Sequence, residues 1–176
     1  MPRQKSAAIW RPMQAGDLPT VFDLAARIHA DHPEGDDVFR DRLRLFPEGC
    51  LIAEDGEGLR VGYAVAHPGV AGTPPPLDSR MACLPRAADS LYIHDVALAE
   101  EARGLGLGSA VMPLMRDIAR RHGLPRMALV AVNGSAPFWQ REGFRPMAHA
   151  PASLTAKLAS YGPDAAYLVA DLGETG

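Results

Sequence analysis

The segment LYIHDVALAEEARGLGLGSAVM, residues 91–112, decides which fold class and which kind of site we expect for the chain. It begins as an apolar, strand-like run, continues through a short acidic connector, and opens a helix with Gly104, Gly106 and Gly108. Alternate glycines leave backbone N–H groups uncovered by side chains, and the first turn of a helix adds unpaired donors and a positive dipole end. The pattern therefore predicts a site for a phosphate or pyrophosphate group, and with it a nucleotide-type cofactor.

The spacing of the glycines excludes two common nucleotide sites. A dinucleotide-binding G-x-G-x-x-G motif would need glycine at position 109 or 111, where the chain has Ser109 and Val111. The chain also has no G-x-x-x-x-G-K-[ST] phosphate-binding loop. The pattern that remains is Arg103-x-x-Gly106-x-Gly108, directly after a predicted strand.

The composition is typical of a soluble globular protein. The chain has 176 residues, of which 47% are hydrophobic and 22% are charged, so we expect a single domain over residues 1–176. Its net charge of -3 argues against a nucleic acid or a membrane as partner. Cys50 and Cys83 match neither a disulfide framework nor a metal-binding spacing, and no apolar run is long enough to span a bilayer. We therefore expect a cytoplasmic protein without a metal site.

Hydrophobic periodicity predicts alternating strands and helices. One amphipathic helix begins at the N-cap residue Asp17 and ends near Ala30. Residues 68–88 have no period and predict a long loop, which either borders a binding site or is a surface excursion. Residues 148–164 have no clear assignment. The other predicted elements are a strand at 7–13, a helix at 38–46, an antiparallel hairpin at 50–54 and 60–67, a strand at 91–98, a helix at 107–122, a strand at 126–132, a short helix ending at Glu142, a strand after Gly143 and a closing strand at 167–172.

A second motif follows the strand at 126–132. Asn133 ends that strand, Ala136 comes next, and the segment Phe138-Trp139-Gln140-Arg141-Glu142-Gly143-Phe144 completes the pattern. Together with Arg103-x-x-Gly106-x-Gly108, this sequence resembles the two signatures of the GNAT superfamily of N-acetyltransferases. The resemblance covers about residues 8–147 and is most specific in residues 91–144.

The resemblance implies an α/β (α+β) fold of the GNAT type. Its mixed central sheet would have six to seven strands, a splay between the fourth and fifth strands, and about four flanking helices. Acetyl-CoA would be the co-substrate, with its pantetheine arm between the splayed strands and its pyrophosphate on the glycine turn. The residues that would bind it are Val96, Ala97 and Leu98 along the pantetheine arm, the backbone of Arg103, Gly104, Leu105, Gly106, Leu107, Gly108 and Ser109 at the pyrophosphate, and Asn133, Phe138 and Trp139.

The resemblance also implies direct attack of an amine on the acetyl thioester, with a small molecule or a protein amino group as acceptor. GNAT-like proteins are often dimers, so a homodimer is a further expectation. One position departs from the family pattern, because Trp139 stands where a proton-donating tyrosine is usual. An indole N–H can donate a hydrogen bond but cannot act as an acid near neutral pH. A non-catalytic CoA-binding module of the same fold therefore stays open as an alternative.

Candidate catalytic groups lie on the strand before the glycine turn. Histidine is the residue type best suited to proton transfer near neutral pH, so His94 is the favoured base. Asp95 is the second candidate, and Tyr92 could act as an acid or a positioning group. Because neighbouring strand residues point to opposite faces, we expect at most one of His94 and Asp95 to face the site. The acidic segment between the first two helices could form a rim for a cationic amine, through His32, Glu34, Asp36 and Asp37.

Overall fold

The computed structural model describes residues 7–31 and 33–173, which form a seven-stranded mixed sheet with five α-helices. This confirms the predicted fold class, with one helix more than expected. The additional helix lies within residues 148–164, where the apolar period is weak because the helix buries only Leu154. The strands are β1 (Ile9–Pro12), β2 (Cys50–Glu54), β3 (Arg60–Gly69), β4 (Ser90–Leu98), β5 (Arg126–Ala131), β6 (Arg145–Pro146) and β7 (Ala166–Asp171). The helices are α1 (Leu18–Ile28), α2 (Asp36–Leu45), α3 (Leu107–Arg121), α4 (Ala136–Arg141) and α5 (Ala152–Ala159).

The sheet has the strand order β1-β2-β3-β4-β5-β7-β6. β2 and β3 form the predicted antiparallel hairpin, whereas β4 and β5 run parallel. This parallel pairing is short, because only Leu91 with Met127 and Tyr92 with Ala128 are in register. Beyond these pairs the strands part, which confirms the splay between the fourth and fifth strands. We call the space between the parted strands the strand gap.

A β-bulge interrupts β4 beside the strand gap. Val65 of β3 pairs with Asp95, but the next residue, Ala66, pairs with Ile93, so His94 is an extra residue in β4. An extra residue shifts the alternation of the side chains by one position. The side chains of two consecutive residues can therefore lie on the same face of the sheet.

The packing of β4 records this shift. Ile93 and Val96 both pack in the core on the α3 side of the sheet, although two residues separate them. On the opposite side, Tyr92 packs with Leu154 of α5, and Ala97 packs in the core that α1 contributes to. Even-numbered residues thus face α1 and α5 before the bulge, and odd-numbered residues face them after it.

Asp17 occupies the predicted N-cap position of α1, but its side chain makes no capping hydrogen bond. The carboxylate instead accepts hydrogen bonds from Arg11 at 2.8 and 2.9 Å and from Arg60 at 2.6 Å. The bond from Arg11 is the main reason that the pKa of this buried carboxyl lies far below its ordinary value, although burial opposes the shift. Asp17 is therefore the N-cap residue, as predicted, but its carboxylate cross-links β1, α1 and β3 instead of bonding to the first turn of the helix.

Candidate active site

A cavity of about 110 Å³ lies at the mouth of the strand gap. We call it the central cavity. Its walls come from α1, from the segment between α1 and α2, from β4 and from the end of β5. The residues that line it are Ala25, Ile28, His29, Asp31, Glu34, Phe39, Leu77, Tyr92, His94, Asp95, Val130, Val132, Asn133 and Tyr161.

His94 and Asp95 both line the central cavity. The expectation that at most one of them would face the site was wrong. It assumed regular alternation along the strand, and the bulge at His94 breaks that alternation. Two neighbouring titratable side chains consequently lie on one wall of the cavity.

His94 is held by Glu34, which lies between α1 and α2. His94 Nε2 lies 2.7 Å from Glu34 Oε1, and since a carboxylate can only accept, the imidazole donates its Nε2–H. The neutral ring then carries its lone pair on Nδ1. No described residue hydrogen-bonds to Nδ1. The atom is also not among the buried atoms that lack a partner, so it is accessible to solvent. The pair therefore offers a proton-accepting nitrogen that is backed by a carboxylate.

The long loop between β3 and β4 reaches the same carboxylate through Asp78. The backbone N–H of Asp78 lies 3.3 Å from Glu34 Oε2, and Asp78 Oδ1 accepts the backbone N–H of Gly35 at 2.6 Å. Asp78 adopts a left-handed φ of 50° to make both contacts. The adjacent Leu77 lines the cavity, so the loop borders the candidate site rather than being a surface excursion.

Asp95 forms a second polar cluster. Its Oδ2 accepts hydrogen bonds from Tyr63 Oη at 2.5 Å and from His29 Nε2 at 2.8 Å. Burial alone would raise the pKa of Asp95, but the bonds from His29 and Tyr63 outweigh it, so the pKa is lowered. The bond to Asp95 is the main reason that the pKa of His29 is raised. Both shifts favour the charged forms, an ionised Asp95 that accepts from a protonated His29, and these forms make neither group a ready proton acceptor.

Tyr92 lies against this wall and is 4% exposed. Burial, followed by the proximity of Tyr161, raises the pKa of the Tyr92 hydroxyl well above its ordinary value. The hydroxyl therefore stays protonated at neutral pH and can donate a hydrogen bond. Of the two roles predicted for Tyr92, acid or positioning group, this suits the positioning group.

The glycine turn, residues 103–109, leads from β4 into α3. Gly104 and Gly106 have φ values of 80° and 73°, a conformation that only glycine adopts without strain. A Cβ placed on either residue would meet no atom within 4 Å. The turn therefore faces open space, as a cradle for a ligand requires.

Two of the predicted backbone donors in this turn are already engaged. The N–H groups of Arg103 and Leu105 donate to the carbonyls of Glu100 and Ala102, at 3.1 and 3.3 Å. Among the described residues, no backbone carbonyl accepts a hydrogen bond from the other five N–H groups of the turn. Of the seven predicted pyrophosphate donors, these five are therefore free to bind a ligand. These five belong to Gly104, Gly106, Leu107, Gly108 and Ser109.

The backbone of β4 offers further hydrogen-bonding groups to the strand gap. The N–H of Ala99 donates to Val61 of β3 at 2.8 Å. Because backbone groups alternate in direction along a strand, Ala97 also points its N–H and C=O toward β3. Val96 and Leu98 then point theirs into the gap, where β5 no longer pairs with β4. Of the three predicted pantetheine contacts on β4, Val96 and Leu98 therefore have free backbone N–H and C=O groups, whereas those of Ala97 pair with β3.

The second sequence motif is divided between the cavity and the core. Asn133 lines the central cavity at the end of β5, with a left-handed φ of 53°. Phe138 is half-buried next to the glycine turn. A Cβ atom added to Gly108 would lie 3.5 Å from the ring of Phe138. Trp139 is 8% exposed and stacks edge-on with Phe138 and Phe144 in the core. The structure therefore places Asn133 and Phe138 where they could contact a cofactor, and it places Trp139 behind them.

The acidic rim predicted between the first two helices is only partly present. Glu34 lines the cavity and is joined by Asp31, which the sequence analysis did not single out. Asp36 and Asp37 begin α2 and do not line the cavity. The fourth predicted member, His32, lies outside the described residues.

A sequence profile of the acetyltransferase (GNAT) family matches residues 18–144, which include both motifs and the whole wall formed by β4. The chain belongs to the GNAT family. Members of this family are acetyl-CoA-dependent N-acyltransferases, and the chain is an enzyme of that class.

Solved structures with the same fold include several other GNAT proteins. Ard1 from Thermoplasma volcanium has a TM-score of 0.71 and 20% identity, with 96% of this chain and 99% of that chain covered. The loading GNATL domain of CurA from Lyngbya majuscula has a TM-score of 0.75 and 14% identity, with 95% and 98% covered.

N-acetylglutamate synthase from Neisseria gonorrhoeae, solved with coenzyme A and N-acetyl-glutamate, has a TM-score of 0.72 and 18% identity. The match covers 97% of this chain and 36% of the synthase. A search of curated proteins found no match. At these identities, the structural matches establish the fold and leave the acceptor unassigned.

The residues of the GNAT chain fit the co-substrate of its family. Uncovered N–H groups and open space at Gly104 and Gly106 suit a pyrophosphate. The outward-facing backbone of Val96 and Leu98 suits the amide groups of a pantetheine arm, which can pair with β4 like an added strand. Acetyl-CoA bound in this way would lead from the glycine turn toward the central cavity.

Sequence reasoning missed His29 and Tyr63 as members of the site. His29 continues the apolar stripe of α1 in the sequence, and Tyr63 sits among apolar strand residues. Both contacts to Asp95 span more than 30 positions, and no local pattern encodes them. A polar residue that ends an apolar helical stripe was the one available signal for His29.

Two negative observations apply to the part of the chain that the structure describes. None of its helices is both long and apolar enough to cross a membrane. No group of three or more histidine, cysteine, aspartate or glutamate side chains is arranged to hold a metal ion.

Proposed function

We propose that the protein transfers the acetyl group of acetyl-CoA to a primary amine by direct attack, with the Glu34–His94 pair as proton acceptor. The observation that carries this proposal is the 2.7 Å contact between His94 Nε2 and Glu34 Oε1 on the wall of the central cavity. It leaves Nδ1 as the proton-accepting atom of a side chain that lines the cavity.

The acceptor amine must lose a proton before it can react. A free alkylamine has a pKa of about 10.4, so it arrives as an ammonium ion at neutral pH. His94 can take that proton, and Glu34 stabilises the imidazolium that forms, because a carboxylate is a stronger acceptor toward a charged donor. The Asp95–His29 pair is already charge-neutral as a unit and serves to hold this wall of the cavity in place.

Acetyl-CoA supplies an activated thioester whose leaving group is an alkyl thiolate. The alkyl thiol of cysteine has a pKa of about 8.5, and a thiolate of this kind can depart without a general acid. The chain accordingly does not need a proton donor at position 139. Trp139 packs in the core, where it supports Phe138 next to the glycine turn. A tryptophan at this position is therefore compatible with transfer.

The proposal is tested by measuring free thiol released from acetyl-CoA with a panel of amines. We expect amine-dependent release, and we expect Glu34→Gln to lower kcat/KM about 100-fold while CoA affinity stays unchanged, because general-base catalysis contributes 10²–10⁴-fold. CoA affinity can be followed through the rise in melting temperature that ligand binding produces. CoA binding without amine-dependent thiol release would instead support a non-catalytic CoA-binding module.

A further inference from the structure

We propose that the acceptor is a short dication: a primary amine joined by a few methylene groups to a second, positively charged nitrogen. This inference rests on the proposed function and specifies its substrate class. It is carried by the distribution of charge and apolar surface in the central cavity.

The charges on the cavity wall are predominantly negative. Asp31, Glu34 and Asp95 line it, and none of the described residues that line it is lysine or arginine. The charge of Asp95 is balanced by His29, which donates to it at 2.8 Å. Glu34 contacts only His94, which is neutral when it acts as the base, and no described arginine or lysine lines the cavity beside Asp31. With His94 neutral, the cavity therefore retains about two negative charges for its ligand.

These two carboxylates lie at different depths. The side chain of Glu34 is 14% exposed and contacts the proposed base His94, so it belongs to the reacting end. Asp31 is exposed, just beyond the end of α1, where the partial negative charge of the helix C-terminus adds to its own. A ligand with one ammonium at His94 would therefore find a second site for positive charge near the cavity mouth.

The rest of the cavity lining includes apolar side chains. Ile28, Phe39 and Leu77 are among them. The volume of about 110 Å³ is smaller than a cavity of roughly 150 Å³ that accommodates benzene, so only a short chain fits. Methylene groups match this surface, whereas a carboxylate on the ligand would lie against carboxylates of the protein.

The test compares three acceptors with the same four-carbon chain: a diamine, a monoamine and an ω-amino acid. We expect kcat/KM from thiol release to be about tenfold higher for the diamine than for the monoamine, and lowest for the amino acid. Asp31→Asn should reduce the diamine-to-monoamine ratio about fivefold, the range expected for one exposed ion pair. Asp36→Asn removes the same charge outside the cavity and should leave this ratio unchanged.

Each other outcome contradicts the inference in a recognisable way. Equal or higher kcat/KM for the monoamine or the amino acid would overturn the dication while leaving N-acetyl transfer intact. If Asp31→Asn and Asp36→Asn change the diamine-to-monoamine ratio equally, Asp31 is not the site of the second positive charge. The preference for the diamine would then follow from the overall charge of the protein. If no amine and no α-amino peptide releases thiol, the proposed function fails together with this inference.

Discussion

The glycine turn and the central cavity share the strand β4 but are built from different parts of the chain. The cavity borders the middle of the strand, at Tyr92, His94 and Asp95, and the glycine turn follows its C-terminal end. The glycine turn uses backbone N–H groups from consecutive residues, 104–109 apart from Leu105, and needs space rather than side chains. The central cavity uses side chains from α1, the α1–α2 segment, β4 and the β3–β4 loop. A site made of local backbone tolerates few substitutions at its glycines, whereas a site made of distant side chains can be changed one contact at a time.

The largest expected effect is at the glycine turn. Gly106→Glu should weaken CoA binding by at least about 100-fold, because it forces a side chain into a left-handed position and places a carboxylate where a pyrophosphate would bind. CoA-induced thermal shifts or calorimetry measure this change. If the affinity is unaffected, the turn is not the pyrophosphate site.

Gly123→Glu is the matched control for this variant. Gly123 has a φ of 66°, and a Cβ there would also meet no atom within 4 Å. It follows the 15-residue helix α3, so it lies about 22 Å from the turn. It should lose similar stability and keep its CoA affinity.

A smaller effect is expected at the β3–β4 loop, where Asp78 positions Glu34. Asp78→Ala removes the acceptor for the Gly35 N–H and strains the left-handed backbone, so kcat/KM should fall about fivefold to tenfold, the effect of roughly one hydrogen bond. Asp78→Gly also removes the acceptor but relieves the strain, and Asp78→Asn keeps the acceptor oxygen.

The comparison of these three variants separates the hydrogen bond from the backbone. If the bond to Gly35 matters, the glycine variant should resemble the alanine variant in kcat, and the asparagine variant should resemble the wild type. CoA affinity should not change in any of them. Equal kcat in all four proteins would show that the loop does not position Glu34.

The smallest expected effect concerns stability and pH. The pKa of His29 is raised in the folded state mainly by its bond to Asp95, so this stabilisation is complete below the ordinary pKa of 6.5 and is lost as the pH rises through the folded value. His29→Gln should therefore lower the melting temperature by about 2–4 °C at pH 6 and by less at pH 9. The same difference at both pH values would mean that His29 is not protonated against Asp95.

The features that could be predicted from sequence are those whose causes are local. Gly104, Gly106 and Gly108 mark a turn whatever surrounds it, and Asn133 marks the end of β5 because it tolerates a left-handed φ. The splay between the fourth and fifth strands came with the family resemblance. Trp139 shows what the motif cannot predict. The motif places this residue in α4, but only the packing of α4 against the core determines that its side chain is buried, with 8% exposed.

The acceptor side depends on contacts that no short window of sequence contains. Glu34 meets His94 across 60 positions, and His29 meets Asp95 across 66. The bulge at His94 has no glycine or proline to announce it, and regular alternation was the reasonable expectation without it. Asp31 could have been included in the rim, because it belongs to the same acidic segment as Glu34.

Because of the bulge, the number of residues in β4 determines which of its side chains face the central cavity. If one residue were deleted at position 94, β4 would lose its extra residue, and Asp95 alone of the neighbouring pair His94 and Asp95 would remain on the cavity wall. If one residue were instead inserted after Asp95, Val96 and Leu98 would exchange sides with Ala97, and larger apolar side chains would enter the core where Ala97 packs near α1. A change of one residue in the length of β4 therefore changes which side chains face the cavity and which face the core, so the length of this strand is part of the chemistry of the site.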